Sequence, residues 1–102
     1  QLNLCIDYGG RDEIIRAIKK IPQAKLKEIT EENFAEYLDT SKIPAPDLII
    51  RTSGECRLSN FLLWQCAYSE LFFTNTLFPN FTKKEFKKIL AEFRERKRRG
   101  GK

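Results

Sequence analysis

A short branched apolar run, Leu48-Ile49-Ile50, constrains the fold of this 102-residue chain more than any other feature. The run is bounded by Pro46 and Gly54, and runs of this length and composition are typical of strands buried in a parallel sheet. The polar residues that follow therefore stand at the carboxyl end of a strand, which is where open α/β sheets bind their ligands. The sequence predicts an α/β fold with a ligand site directly after this strand.

The segment that follows, IRTSGECRLSN over residues 50–60, is rich in groups that bind anions. We call it the two-arginine segment, because it contains Arg51 and Arg57 as well as the hydroxyl of Ser59. Arginine presents a planar fork of donors that matches phosphate oxygens, and each such charge-assisted bond contributes about 1.5 to 3 kcal/mol. Two arginines here indicate a diphosphate ligand. The structural alternative for Arg51 is a salt bridge with Asp47 or Glu55.

Other elements follow from periodicity and capping signals. The sequence predicts a strand over residues 2–8, a helix over 12–20, a short helix capped by Thr30, and a last helix that starts at the Thr82-Lys83-Lys84-Glu85 capping box and frays by about Arg98. A strand, then helices, then a strand requires a crossover, which favours parallel pairing of residues 2–8 with the Leu48 strand. Glu70 follows an expected helical stretch and should lie at an element boundary.

Composition excludes several classes of site. The chain has no histidine, so no Ser-His-Asp triad and no histidine-containing zinc site falls within it. Of the net charge of +5, most falls in residues 92–102, which hold six basic and two acidic side chains. This basic tail has no interleaved aromatics of the kind that single-stranded nucleic acids stack on, so we expect no nucleic-acid partner.

The cysteines and aromatics give further expectations. The three cysteines form no C-x-x-C pair, which argues for a reducing, cytoplasmic setting, and we expect Cys5 and Cys66 to be small buried residues. Seven of the twelve aromatics crowd residues 61–81: Phe61, Trp64, Tyr68, Phe72, Phe73, Phe78 and Phe81. This density predicts burial in a domain core, with a subunit interface as the alternative.

The two-arginine segment, followed by FLLWQ and AYSELFFT and preceded by Tyr8-Gly9-Gly10-Arg11, resembles the cis-prenyltransferase family. The resemblance spans nearly the whole chain. It implies an α/β fold with a central parallel sheet flanked by helices, in which residues 1–102 form the carboxyl-terminal portion of a single catalytic domain. The amino-terminal part, with the family's aspartate-bearing loop for the allylic diphosphate, would then be absent from this chain.

The same resemblance implies a set of site residues. Those that match positions holding the diphosphate of isopentenyl diphosphate are Arg51, Arg57, Ser59 and the backbone of Leu58, with Glu55 beside them. Glu70 matches a magnesium ligand. The ending Arg98-Arg99-Gly100 matches an R-x-G motif that contacts diphosphate across a homodimer. No catalytic residue is assigned within the chain.

The activity implied is condensation of isopentenyl diphosphate with an allylic prenyl diphosphate, with Mg²⁺, to give a cis-polyprenyl diphosphate such as an undecaprenyl-type lipid carrier for the cell wall. We expect these 102 residues alone to be inactive. A non-catalytic accessory subunit of a heteromeric enzyme is the alternative. The apolar stretches are too short to span a bilayer, and we expect a cytoplasmic protein whose basic tail contacts anionic membrane lipids.

Overall fold

The computed structural model describes residues 1–99. Its helices and strands are α1 (Gly10–Lys20), α2 (Glu31–Phe34), β1 (Leu48–Arg51), β2 (Glu70–Phe73) and α3 (Lys83–Arg99), with short 3₁₀ turns at Gln23–Glu28, Ala35–Tyr37 and Phe78–Asn80. The chain forms two compact units. The first unit comprises Gln1–Ala45 and Leu58–Ala67; the second comprises Pro46–Arg57 and the chain from Tyr68 onward.

The first unit is built around α1. The predicted helix over residues 12–20 is confirmed, and Ala17 on it packs with Phe34 and Leu38 in a buried cluster. Thr30 caps α2 as predicted, since its hydroxyl accepts a hydrogen bond from the backbone N–H of Asn33 at 3.2 Å. The expected apolar stripe of α1 is only partly buried, because Ile18 is 48% exposed.

The predicted strand over residues 2–8 is wrong. Leu2, Leu4 and Ile6 alternate as in a strand, yet each is more than 70% exposed. A strand requires a hydrogen-bonded neighbour, and the one ladder within residues 1–99 joins β1 to β2. Cys5 in this segment is exposed as well, contrary to expectation, whereas Cys66 is buried as expected and its burial raises the pKa of its thiol.

The second unit contains the sheet. Strand β1 occupies the predicted position and pairs in parallel with β2, in a register that runs from Leu48 opposite Glu70 to Arg51 opposite Phe73. Parallel pairing is therefore confirmed, but with a partner that follows β1 in the chain. A two-stranded parallel sheet with helices places the chain in the α/β class.

Helix α3 packs on β2 within the second unit. Its predicted start is confirmed, because the hydroxyl of Thr82 accepts from the N–H of Glu85 at 3.1 Å. Near the other end, the guanidinium of Arg96 lies 3.8 Å from the ring centroid of Phe72 and donates to the carbonyl of Leu71 at 3.1 Å. The helix extends to Arg99, so the predicted fraying by about Arg98 does not occur within the described residues.

The aromatic-rich region over residues 61–81 departs most from expectation. Phe72 is buried, but Tyr68 is 98% exposed and Phe78 is 73% exposed, so burial in a single core is wrong for these two. The expected helical stretch before Glu70 is also absent from the described residues. Residues 63–68 form successive turns there.

Candidate functional site

Arg51 is the last residue of β1 and lies half-buried at the carboxyl end of the strand, where the sequence placed it. Within residues 1–99 its guanidinium takes part in no salt bridge. The two carboxylates that the structural alternative required are engaged elsewhere, Asp47 with Lys97 at 3.9 Å and Glu55 with Arg57. The alternative is therefore wrong, and among residues 1–99 the guanidinium of Arg51 has no carboxylate partner.

A tight turn carries the chain from Arg51 towards Arg57. Ser53 and Gly54 both adopt left-handed backbone conformations, with φ of 71° and 75°. Their backbone N–H groups donate to the carbonyls of Thr76 and Thr74 at 2.8 and 2.9 Å. Because a left-handed serine is unfavourable on its own, these two bonds are what hold the turn in place.

The segment that carries the two accepting carbonyls, residues 74–76, is itself held by α3. The carboxylate of Glu85 accepts hydrogen bonds from the hydroxyls of Thr74 at 2.7 Å and Thr76 at 3.1 Å. Sequence reasoning assigned Glu85 to the helix cap alone and missed this contact. The presence of two threonines shortly before a capping glutamate is the only sequence signal for it.

Arg57 and Glu55 form an ion pair two residues apart on the surface of the second unit. The Arg57 side chain is 67% exposed and that of Glu55 is 40% exposed. An exposed pair of this kind contributes little to stability and is readily exchanged for a stronger anion. The guanidinium of Arg57 is thus exposed to solvent beside Glu55.

The remaining predicted anion-binding residues belong to the first unit, because the chain passes between the units after Arg57. Leu58 is half-buried and Ser59 is exposed. Ser59 has a left-handed backbone with φ of 50°, as does Asn60 with φ of 68°. The two-arginine segment therefore has left-handed residues near both of its ends, a concentration of backbone strain that is typical of ligand-binding loops.

A buried carboxylate that the sequence did not reveal lies in the first unit. Glu13 is 1% exposed, and its oxygens accept hydrogen bonds from the side-chain amide of Gln65 at 3.1 Å, from the backbone N–H of Asp39 at 2.9 Å and from the hydroxyl of Tyr8. Burial, reinforced by the bond to Glu13, raises the pKa of Tyr8 well above its usual value. The position of Glu13 one helical turn before the buried Ala17 was the available signal.

Glu70 lies at an element boundary as predicted, since it is the first residue of β2. In the parallel register it stands opposite Leu48, at the amino end of the ladder, whereas Arg51 is at the carboxyl end. Three residues of strand separate the two positions, which corresponds to about 10 Å. The structure thus does not bring Glu70 beside Arg51.

The donor set for a magnesium ion is incomplete within residues 1–99. No group of three or more acidic, cysteine or histidine side chains suited to a metal occurs there. Glu70 supplies one carboxylate, and its side chain makes no salt bridge within the same range. Magnesium is commonly held by one or two carboxylates together with substrate phosphates and water. Glu70 therefore offers the donor chemistry of one such carboxylate.

Of the basic ending, Arg98 lies in the last turn of α3 and pairs with Glu95 at 2.5 Å, with its side chain 78% exposed. Gly100 lies outside the described residues. Among the helices of residues 1–99, none combines the length and apolar character that crossing a membrane requires.

The parallel strand pair and flanking helices define an α/β protein, with Arg51 at the carboxyl end of β1, the end of the strands at which open α/β sheets bind their ligands. The chain belongs to the prenyltransferase family, because the family model described as "Putative undecaprenyl diphosphate synthase" matches residues 1–101. This confirms the family indicated by the two-arginine segment.

Curated relatives agree with this assignment. The chain is 56% identical over 100 residues to an isoprenyl transferase of Aquifex aeolicus, covering 98% of this chain and 43% of the relative. It is 55% identical over 107 residues to the farnesyl-diphosphate-specific ditrans,polycis-undecaprenyl-diphosphate synthase of Buchnera aphidicola, covering 98% of this chain and 42% of the relative. The chain thus spans less than half the length of these relatives.

Solved structures show the same fold. A probable undecaprenyl diphosphate synthase from Campylobacter jejuni superposes with a TM-score of 0.80 at 54% identity, over 95% of this chain and 45% of that one. Lavandulyl diphosphate synthase from Lavandula x intermedia, in complex with dimethylallyl diphosphate, superposes with a TM-score of 0.80 at 43% identity, over 87% and 41% of the two chains.

Proposed function

We propose that the full-length protein condenses isopentenyl diphosphate with an allylic prenyl diphosphate to extend a cis-polyprenyl chain. Membership of the prenyltransferase family supports this, as do relatives named isoprenyl transferase and undecaprenyl-diphosphate synthase. The observation that carries the proposal is Arg51, a half-buried residue at a strand's carboxyl end whose guanidinium no carboxylate of residues 1–99 neutralises.

In this reaction the carbon–oxygen bond of the allylic diphosphate breaks and diphosphate leaves. The double bond of isopentenyl diphosphate forms the new carbon–carbon bond, and a proton is lost to restore a double bond. The residues of this chain bind and orient the condensing unit. Arg51 and Arg57 hold its diphosphate, with the hydroxyl of Ser59 and the backbone of Leu58 as further donors. Such positioning and charge neutralisation are the main protein contributions to chemistry at diphosphates.

Glu55 acts as a resting counterion for Arg57 in this scheme. With no substrate present, the ion pair keeps the Arg57 side chain ordered on the surface of the second unit. A diphosphate carries more charge than one carboxylate and accepts two hydrogen bonds from a guanidinium, so it displaces Glu55. Substrate binding then costs one exposed ion pair, which is a small penalty.

Magnesium enters the proposal through Glu70, which would provide one carboxylate ligand. The ion, when bound, neutralises diphosphate charge and assists departure of the leaving group. The other ligands would come from the diphosphate, from water and from carboxylates outside residues 1–99.

The full-length protein is further proposed to act as a homodimer, in which Arg98 and Gly100 contact diphosphate across the subunit boundary. The largely exposed Tyr68 and Phe78 are consistent with an aromatic interface of this kind. The exposed basic residues of the last turn of α3, Lys97, Arg98 and Arg99, suit peripheral contact with anionic lipids from the cytoplasmic side. No observation favours the alternative of a non-catalytic accessory subunit.

The product is proposed to be an undecaprenyl-type lipid carrier. Relatives at similar identity carry names with different allylic specificities, farnesyl diphosphate for the Buchnera aphidicola enzyme and geranylgeranyl diphosphate for that of Thermoplasma acidophilum. The allylic starter of this protein therefore has to be measured. Chromatography of products made from each starter, with labelled isopentenyl diphosphate, determines both the starter and the chain length.

The proposal is tested by measuring incorporation of labelled isopentenyl diphosphate by the full-length protein with Mg²⁺ and an allylic diphosphate. We expect Arg51→Ala and Arg57→Ala each to lower kcat/KM by about 10- to 100-fold, since each removes a charge-assisted bond. Lys25→Ala, which removes an exposed charge outside the two-arginine segment, is the matched control. Normal elongation by both arginine variants would refute the assigned site.

A further inference from the structure

Ser59 stands in the most strained stretch of backbone in the first unit. Ser59, Asn60 and Leu62 all have positive φ, at 50°, 68° and 44°. Left-handed conformations are unfavourable for residues with a Cβ and persist only where surrounding contacts impose them. The position of the Ser59 hydroxyl therefore depends on whatever fixes the residues next to it.

Asn60 supplies that fixation by docking on the amino-terminal end of α1. Its carbonyl oxygen accepts from the backbone N–H of Gly10 at 2.6 Å, and its side-chain Oδ1 accepts from the backbone N–H of Arg11 at 2.9 Å. Gly9, which immediately precedes the helix, has no side chain to cap it. Asn60 thus satisfies two of the four N–H groups that a helix start leaves without partners. Asparagine is also among the residues that best tolerate a left-handed backbone.

The two glycines of the Tyr8-Gly9-Gly10-Arg11 motif make this docking possible. A Cβ on Gly10 would lie 2.8 Å from Cγ of Leu63 and 3.0 Å from the carbonyl oxygen of Asn60. A Cβ on Gly9 would lie 2.8 Å from Nδ2 of Asn60. Any larger residue at either position would push against the segment that follows Ser59. The two glycines thus leave a space without side chains at the start of α1, which we call the Gly9-Gly10 socket. Asn60 occupies this space.

A second tie to α1 restrains the same segment five residues further on. The side-chain amide of Gln65 donates to both oxygens of the buried Glu13 at 3.1 Å. Residues 60–65 are therefore held to α1 at both ends, once at the helix start and once inside its first turns. Ser59 lies immediately before this doubly held stretch.

We propose that Asn60 is a positioning residue for diphosphate binding: by docking in the Gly9-Gly10 socket it holds the backbone of Leu58 and the hydroxyl of Ser59 in the conformation that accepts the substrate. The inference rests on the proposed function, because it concerns the site assigned there. It gives a shared role to the glycine motif and the two-arginine segment, whose Gly10 and Asn60 lie fifty residues apart in the sequence.

Three substitutions in the full-length protein separate the two properties of Asn60. Asn60→Ala removes the side-chain acceptor and disfavours the left-handed backbone. Asn60→Gly removes the acceptor but tolerates that backbone, and Asn60→Asp keeps both. Asn80→Ala is the matched control, because Asn80 is an exposed asparagine outside the two-arginine segment.

We expect KM for isopentenyl diphosphate to rise about tenfold in Asn60→Ala and about threefold in Asn60→Gly, consistent with loss of one hydrogen bond with and without backbone strain. Asn60→Asp and Asn80→Ala should stay within about twofold of the wild type, and kcat should change little throughout, because uniform binding is what is lost. A merely structural role would instead lower the active fraction and reduce kcat without raising KM.

Hydrogen exchange at the amides of Gly10 and Arg11 provides the readout that does not depend on activity. Protection of the Arg11 amide should fall in Asn60→Ala and Asn60→Gly and be retained in Asn60→Asp. A wild-type protein that shows this protection but no elongation would refute the proposed function. A different result would refute the positioning role alone. In that case the wild type elongates, and Asn60→Ala loses hydrogen-exchange protection at the Arg11 amide but keeps the wild-type KM.

Discussion

The two units hold their parts of the two-arginine segment by different means. In the second unit, backbone N–H groups of Ser53 and Gly54 bind backbone carbonyls beyond β2. In the first unit, one backbone bond, from the N–H of Gly10 to the carbonyl of Asn60, is joined by bonds that the side chains of Asn60 and Gln65 make with α1. Backbone bonds survive most substitutions, whereas side-chain bonds do not. We therefore expect the first unit to be the more sensitive to single mutations.

The largest effect should come from the buried carboxylate of the first unit. Glu13→Ala leaves the part-buried N–H of Asp39 and hydroxyl of Tyr8 without their acceptor and leaves the buried amide of Gln65 with the hydroxyl of Thr40 alone, and each buried unsatisfied group costs about 1 to 3 kcal/mol. We expect the free energy of unfolding, measured by urea titration of the full-length protein, to fall by about 3 kcal/mol or more.

The corresponding carboxylate of the second unit should matter less. Glu85→Ala removes the acceptor of two partly buried hydroxyls, Thr74 and Thr76, which can rotate towards water, so a loss of about 1 to 2 kcal/mol is expected. Glu36→Ala, at an exposed glutamate, is the control. Equal losses for Glu13→Ala and Glu85→Ala would break the contrast between the units.

A second comparison concerns the cost of adding a Cβ at Gly10 in the first unit and at Gly54 in the second. In Gly10→Ala the new Cβ meets Leu63 and backbone, which cannot yield, and overpacking of this kind costs about 1 to 3 kcal/mol. In Gly54→Ala the Cβ lies 3.2 Å from the side-chain oxygen of Asn75, which can rotate away, so the φ of 75° sets a cost of about 1 kcal/mol.

Chemical denaturation of both glycine variants checks this order. Ser53→Gly is the control for the second unit, since relief of its positive φ is opposed by the greater freedom of glycine in the unfolded chain, and stability should change by less than about 0.5 kcal/mol. A Gly54→Ala variant less stable than Gly10→Ala would contradict the steric role given to the Gly9-Gly10 socket.

The smallest expected effect is a change of stability with pH, caused by Asp39. Arg16 on α1 donates two hydrogen bonds to Asp39, at 2.9 and 2.8 Å, and this holds the pKa of Asp39 below its ordinary value. A carboxyl with a lowered pKa in the folded state contributes stability that is present above its unfolded pKa of about 3.9 and is lost as the pH falls through the folded pKa.

Melting temperatures of the wild type and Asp39→Asn, measured from pH 7 to pH 3, test this dependence. The wild type should be the more stable above about pH 5, and the difference should shrink below about pH 4. Asp47→Asn, which removes the more exposed pair with Lys97 in the second unit, should change little at any pH. A wild-type advantage that grows on acidification would contradict the role of the Arg16 bonds.

The elements that could be predicted are those with a local cause. The apolar run predicted β1, the threonine caps predicted the starts of α2 and α3, and the isoleucine spacing predicted α1. The strand over residues 2–8 had an equally good local pattern and was wrong, because pairing depends on a neighbour that the pattern does not show. The parallel partner of β1 is β2, whose four residues gave no strand signal of comparable strength.

The site residues likewise divide into those that local sequence predicts and those that depend on distant contacts. Arg51 was predicted at a strand end because strand and arginine are adjacent in the sequence, and the structure places it there. The contacts of Asn60 with Gly10 and of Gln65 with Glu13 join residues about fifty positions apart, and no spacing rule connects them. The helical position of Glu13, beside exposed charges, resembled an ordinary surface carboxylate.

The central claim, that Arg51 binds the diphosphate of the condensing substrate, is tested most directly by calorimetric titration of the full-length protein with isopentenyl diphosphate, without an allylic substrate. We predict that Arg51→Ala weakens binding by about 10- to 100-fold, the equivalent of one charge-assisted bond, while Lys25→Ala stays within about twofold of the wild type. An Arg51→Ala protein that binds with wild-type affinity would contradict the account.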